Sequence, residues 1–202
     1  MMAAVRKPRK ASYHHGRLRE ALLEAALALV EEQGASAVSL REVARRAGVS
    51  HAAPAHHFDD KAGMLTALAV QGFTLFTETM SAAAARGDAD PPHRFAMTGL
   101  AYVMFAAEHR AYFEVMFSPE LLRRDDPELL RTSLSAYAVL LETARRSFDD
   151  EPTEEELTLR ALTGWAQAHG FATLWLDGNL SQYTRLEAYE ALARKLFGLP
   201  PC

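Results

Sequence analysis

The run Leu40-Arg-Glu-Val-Ala-Arg-Arg-Ala-Gly-Val-Ser-His-Ala-Ala-Pro-Ala-His-His-Phe58 decides how this chain is read. Just before it stands Ser39, and Ser39-Leu-Arg-Glu42 is a capping box, in which hydroxyl and carboxylate can satisfy two orphan amides reciprocally. A short helix therefore starts there and runs to about Ala47. Gly48 can take the left-handed conformation that ends it, and Ser50 can cap the helix that follows. Val43 and Ala44 face the neighbouring helices, Ala44 being small enough for close approach, and Val49 plugs the gap beneath the turn. Helix, glycine turn and helix in so short a run is the pattern of a helix-turn-helix, whose second helix enters the major groove of DNA.

Working outward, Leu18, Leu22, Ala25 and Leu29 lie on one helical face and Gly34 stops that helix. A basic arm over residues 1–12 precedes it, and with Tyr13, His14 and His15 it could follow the DNA backbone or enter the minor groove. Downstream, a long helix is predicted from Lys61, with Met64, Leu65, Leu68, Phe73 and Phe76 buried, ending near the loop from Arg86 to Pro92. Pro92 opens an apolar helix through Tyr102, Met104 and Phe105. Asp126-Pro127 caps a helix with a stripe from Leu130, Leu134 and Tyr137 to Leu141, Ala144 and Phe148. Thr153 and Glu156 form a second capping box before the helix of Trp165, His169 and Trp175. Leu186, Tyr189, Ala193 and Leu196 mark a last helix, stopped by Gly198. The expectation is an all-α protein of about nine helices. A three-helix DNA-binding domain at 13–61 precedes a helical-bundle ligand-binding and dimerisation domain at 62–202.

Formal net charge is -4, an unpromising value for a nucleic-acid binder until it is divided along the chain. Residues 1–61 carry 10 Lys+Arg against 7 Asp+Glu, and the remainder 12 against 19, so the positive end coincides with the helix-turn-helix. The single cysteine, Cys202, permits no internal disulfide and no cysteine-based zinc cage. No apolar run follows Arg6, Lys7, Arg9 and Lys10, so no secretory signal is expected, and Phe95 to Ala107 is too short to cross a bilayer. A cytoplasmic protein with no membrane partner is expected. The histidine pairs His14-His15 and His56-His57 lack the partners of a metal motif, and neither a metal nor a cofactor is expected.

Three segments resemble the TetR family of repressors: Leu22 to Gly34, Ala37 to Ser50, and His56 to Leu65. Ser12 to Leu23 is similar to a recurrent TetR subgroup, and the helix with Trp165, His169 and Gly170 resembles the C-terminal domain some of that subgroup carry. The resemblance implies that Ser39, Arg41, Ser50, His57 and Lys61 touch phosphates, while His51, Ala52 and His56 approach base edges. Hydroxyls and cations at helix starts do bind anions, and only the front of a recognition helix penetrates the groove. One departure stands out: Pro54-Ala55 occupies the place where most relatives carry leucine and a phosphate-binding tyrosine. Proline there disfavours helical dihedrals at Ala53, so the recognition helix is expected to start late or tilt.

Large adaptable side chains crowd the C-terminal segment, and Tyr102, Met104, Phe105, Phe113, Met116, Phe117, Tyr137, Trp165 and His169 are the candidate lining of a pocket for a small apolar or aromatic effector. Trp165 and His169 share a face with Leu162, Ala166 and Thr173 that could complete the pocket or form a dimer seam. The last two helices, with Trp175, Leu186, Tyr189, Ala193 and Leu196, are expected to pair two copies so that they read a near-palindromic double-stranded operator. The functional expectation is a ligand-released repressor. An enzyme using His169 or His109 as general base would lack any nucleophile elbow, phosphate loop or metal motif, and no catalytic residue is assigned. A sequence-indifferent DNA coat protein would need a more basic chain.

Overall fold

The computed structural model describes residues 11–86, 91–180 and 189–200, with side chains from Arg17 onward in the first helix. The basic arm at 1–10, the side chains of Tyr13, His14 and His15, and Leu186 lie outside the described residues. Among the described residues there are nine α-helices and no strand: α1 Ala11–Gln33, α2 Leu40–Arg46, α3 Ala53–Phe58, α4 Lys61–Arg86, α5 Pro91–Glu108, α6 Arg110–Met116, α7 Pro127–Arg145, α8 Glu154–Leu176 and α9 Tyr189–Leu196. A single 3-10 turn, Pro119–Leu121, follows α6. The short α6 has no counterpart in the hydrophobic pattern, and α5 opens at Pro91 rather than Pro92.

Local chemistry accounts for most boundaries. Gly34 ends α1 and Gly198 follows α9, each with the positive φ that glycine tolerates (82° and 69°). Asp126 accepts hydrogen bonds from the amides of Glu128 and Leu129, both at 3.0 Å, before the N1 proline of α7. At α8 the capping box is complete: Glu156 accepts from the Thr153 amide at 2.8 Å, and Thr153 Oγ1 accepts from the Glu156 amide at 3.2 Å.

The axis of the molecule is α4, 26 residues and so about 39 Å long. Its foot packs on α1 and α3, and its shaft on α5, α6 and α7. Met64, Leu65, Leu68 and Ala69 are fully buried along it, and the hydrophobic core runs without a break from Leu22 in α1 to Leu199 beyond α9. A small satellite core of Ala144, Leu157 and Ala161 joins the end of α7 to the start of α8. The reading head and the bundle therefore share a spine and a core, and a displacement in one reaches the other through packed side chains.

Candidate nucleic-acid interface and effector cavity

Residues 39–49 fold as a helix-turn-helix scaffold, with one amendment. Ser39 is extended (φ -130°, ψ 147°) and its Oγ accepts from the Glu42 amide at 3.3 Å. The reciprocal half of the box is not made, because Glu42 pairs with Arg45 one turn on. That hydrogen bond holds the Glu42 carboxyl below its ordinary pKa. A guanidinium fork outcompetes a neutral backbone amide for a carboxylate. Val43 and Ala44 are fully buried, Gly48 has φ 67°, and the Val49 amide closes the turn on the Ala44 carbonyl at 3.0 Å.

The recognition helix corrects the expectation that Ser50 caps it. α3 begins at Ala53, and its N-cap is Ala52, which is helical in backbone (φ -80°, ψ -19°) and makes no side-chain cap bond. Ser50 contributes only its carbonyl, which accepts from the Ala53 amide at 3.0 Å. Pro54 is the cause. Its side chain is buried, and as the second helical residue it has no amide that the helix would use. α3 starts later than a helix capped by Ser50 would. Ala53, the residue before the proline, is nonetheless helical, so the disfavoured dihedral expected at Ala53 is not what sets the start.

His51 and Ala52 consequently sit in the turn before α3, not in its first turn, while His56 lies on the helix; all three are exposed. Ser39 and Arg41 are exposed at the start of α2, and Ser50 in the turn. His57 is half-buried, its ring 5.8 Å from that of His56. Lys61 Nζ donates to the Ser36 carbonyl at 2.6 Å, which leaves other ammonium protons for a phosphate. Phe58 is buried and lies beneath the Arg19 guanidinium, 5.2 Å from its ring centre, anchoring α3 to α1. Among the described residues no group of three or more His, Cys, Asp or Glu is placed to hold a metal ion.

Two polar struts tie this head to the bundle, and sequence reasoning missed both. Asp59, the C-cap of α3, has φ 66°, the only non-glycine positive φ among the described residues. Arg123, in the segment before α7, reaches Asp59 and Asp60 at 3.1 Å each, and its own amide donates to Thr66 Oγ1 at 2.9 Å. The Asp60 carboxylate also accepts from the Gly63 amide at 2.8 Å, which together with Arg123 lowers its pKa. Gly63 is obligatory at this corner: a Cβ would lie 2.1 Å from the Phe58 carbonyl oxygen and 3.0 Å from Arg123 Cζ. The second strut runs from the Ala35 amide to Glu114 of α6, 2.7 Å.

Within the bundle lies a cavity of about 630 Å³. Of the expected lining, Tyr102, Met116, Phe117, Tyr137, Trp165 and His169 border it. Met104, Phe105 and Phe113 do not: Phe105 is buried edge-on against Phe76 with ring centres 5.0 Å apart, and Met104 packs into the core from its rim. Phe113 sits behind His169, ring centres 5.4 Å apart, facing a smaller depression of about 280 Å³. Periodicity marks these three as buried, which holds for Phe105 and Phe113 and in part for Met104, but cannot say which of them border a void. The Tyr102 hydroxyl and His169 Nδ1 are 2.8 Å apart. Burial raises the Tyr102 pKa, the Trp165 side chain opposing it, and burial lowers that of His169. A neutral imidazole accepting from the tyrosine at Nδ1 carries its proton on Nε2. Arg160, Phe95 and Phe197 also border the cavity, from parts of the chain where no local pattern marks them.

Residues 22–68 match the sequence profile of bacterial regulatory proteins of the tetR family, and residues 95–196 match that of the tetracyclin repressor-like C-terminal domain. The chain belongs to the TetR family. It is 33% identical to a protein of unknown function from Rhodococcus sp. RHA1, whose solved structure superposes with a TM-score of 0.74 over 93% of this chain and 97% of that one. The TetR-family regulator PfmR from Thermus thermophilus is 22% identical, with a TM-score of 0.65 and 89% and 93% of the two chains covered. AibR, solved in complex with isovaleryl coenzyme A and operator DNA, is 17% identical, with a TM-score of 0.65 and 92% and 100% covered. These last two share the fold. In sequence, 49 residues are 45% identical to the HTH-type transcriptional regulator BetI of Yersinia pestis (strain Pestoides F). That match spans 24% of this chain and only 25% of the relative's length. As a TetR-family protein the chain is a DNA-binding transcriptional regulator and not an enzyme, so the Tyr102–His169 pair belongs to a cavity wall and not to a catalytic site.

The TetR bundle also exposes an apolar face on α7 and α8. Leu130 and Leu134 of α7 are 47% and 63% exposed, and Leu159 and Leu162 of α8 66% and 46%. Of the residues expected from the last helix, Ala193 and Tyr189 turn inward. Ala193 is fully buried, Tyr189 lies 4.7 Å from Trp175 between ring centres, and its hydroxyl donates to the Val103 carbonyl at 2.9 Å. Leu196 of the same helix is 37% exposed. Among the described residues no helix is long and apolar enough to cross a membrane.

Proposed function

We propose that this regulator is a cytoplasmic homodimeric repressor that leaves a near-palindromic operator when a small apolar or aromatic effector fills the cavity. One observation carries the reading. The segment from α6 to Arg123 borders the cavity through Met116, Phe117 and Pro119, while its Glu114 and Arg123 hold Ala35, Asp59 and Asp60 of the reading head. An occupant that prefers one position of this segment biases the position of α3, which is what ligand control of DNA binding requires. AibR, solved with both an acyl thioester and operator DNA, supports a fold that serves both partners.

In this reading residues 13–61 act as the DNA-binding unit and 62–202 as the effector and dimerisation unit. Ser39, Arg41, Ser50, His57 and Lys61 contact phosphates, and His51, Ala52 and His56 approach base edges, His51 and Ala52 from the turn and His56 from α3. Two copies pair through the leucine faces of α7 and α8 into a helical bundle. Gly170 fits that seam: a Cβ there would meet nothing within 4 Å in its own protomer, so a glycine is needed only if a second helix comes close.

Fluorescence anisotropy on duplexes from the region upstream of the gene tests the proposal. Operator affinity is expected to exceed that for random duplex by about a thousandfold. Arg123→Gln is expected to keep operator affinity while shrinking the effector response several-fold. Equal affinity for random DNA, or an unchanged response in Arg123→Gln, would overturn the proposal.

A further inference from the structure

We propose that the cavity takes an anionic amphiphile, with its apolar body among the aromatic side chains and its head group held at the rim by Arg160. The inference rests on the reading of the cavity as the effector site and adds the chemistry of its occupant. Among the described residues the lining contains no aspartate or glutamate. The one permanent charge among the described lining residues, that of Arg160, attracts an anionic ligand and repels a cationic one. His169 adds no second charge, since burial favours its neutral form.

Arg160 is exposed and has no ion pair among the described residues, and three carboxylates of the same region have other partners. Glu156, one turn back on α8, accepts from both the amide and the hydroxyl of Thr153, at 2.8 and 2.7 Å. Glu151 and Glu154 both serve Arg145. The Arg160 guanidinium lies over the Phe148 ring, 4.8 Å from its centre, a contact that steadies the cation without neutralising it. Such a fork suits a planar or tetrahedral oxyanion.

Next to this charge the wall is aromatic by construction. Gly164, one turn beyond Arg160, lacks a side chain because the Phe95 ring occupies the space; a Cβ would lie 2.5 Å from Phe95 Cζ. Gly99 makes the same room for Phe197, at 2.6 Å. His169 follows Arg160 by nine residues on α8, which separates them by about 13 Å along the helix. The site is thus long and polarised, with a cation at the rim and the neutral Tyr102–His169 pair at depth.

Calorimetry on the full chain with dodecanoate, dodecanoyl coenzyme A, dodecanol and dodecyltrimethylammonium tests this. Dodecanoate or its thioester is expected to bind about tenfold more tightly than dodecanol. Arg160→Gln should erase that preference while leaving dodecanol binding unchanged, and Arg160→Lys should restore part of it. Preference for the thioester, lost in Arg160→Gln, assigns the head group to the phosphates of the cofactor; preference for dodecanoate assigns it to a free carboxylate. Dodecanol or the ammonium binding as tightly as both anions, or a preference that survives Arg160→Gln, overturns the proposal while the cavity keeps its role. Uptake of none of the probes by folded protein overturns the effector-site reading itself.

Discussion

The reading head and the effector bundle are built on opposite logics. In the head, the residues proposed to meet DNA are exposed, apart from the half-buried His57 and Lys61, and lie close together in sequence, near a cap, a glycine or a proline. In the bundle, the working feature is a space, bordered by side chains from α4 to beyond α9 that meet only after the chain has folded. A surface that reads a polymer needs rigid local geometry, whereas a cavity that senses a small molecule needs walls from several elements, so that filling it moves them. In the proposed function the two struts, at Glu114 and Arg123, join one region to the other.

The largest expected effect comes from the pairing of two bundles that the proposed function requires. With Leu134→Glu and Leu162→Glu on the exposed face, light scattering is expected to show a monomer with unchanged helix content. Operator affinity should fall by about 100-fold or more, because the second head no longer benefits from the first. A dimer that persists with full affinity would place the seam elsewhere.

How far each region could be read in advance follows the same division. The helix-turn-helix from Ser39 to Gly48 was legible because a cap and a left-handed glycine are properties of a few adjacent residues. The misreading of Ser50 lies in the turn that follows it: residue 52 is helical in backbone and serves as N-cap without a side-chain bond, beside the buried Pro54. The missing half of the Ser39 box came from competition by Arg45, which the motif alone does not weigh. Nothing local announced that Arg123 would meet Asp59, or Glu114 the Ala35 amide, since 64 and 79 residues separate the partners. In α7 one apolar stripe served two purposes, Ala144 inside and Leu134 outside, and periodicity does not distinguish a core from a covered interface.

A smaller effect separates folding from reading within the head. Ser39 both caps α2 and is assigned a phosphate contact. Asp is as good a cap but carries a charge that a phosphate repels. Ser39→Asp should therefore leave the melting temperature unchanged. Repulsion of about 1 kcal/mol per protomer would weaken operator binding about 30-fold in the dimer. A loss of stability equal to the loss of binding would show that Ser39 only supports the helix.

The finest test concerns the start of α3. Placing serine at an uncapped N-terminus ordinarily stabilises a helix by about 1 kcal/mol. Residue 52, however, is helical in backbone, whereas the Ser39 cap is extended, and a cap bond needs the extended form. If the buried Pro54 holds the turn as it is, Ala52→Ser gains almost nothing, and the melting temperature should move by less than about 2 °C. A rise of about 2–4 °C would mean instead that the turn can reopen and be capped. His51 and residue 52 would then be movable parts of the reading surface, and the late start of the helix would be an option the sequence permits, not one that Pro54 imposes.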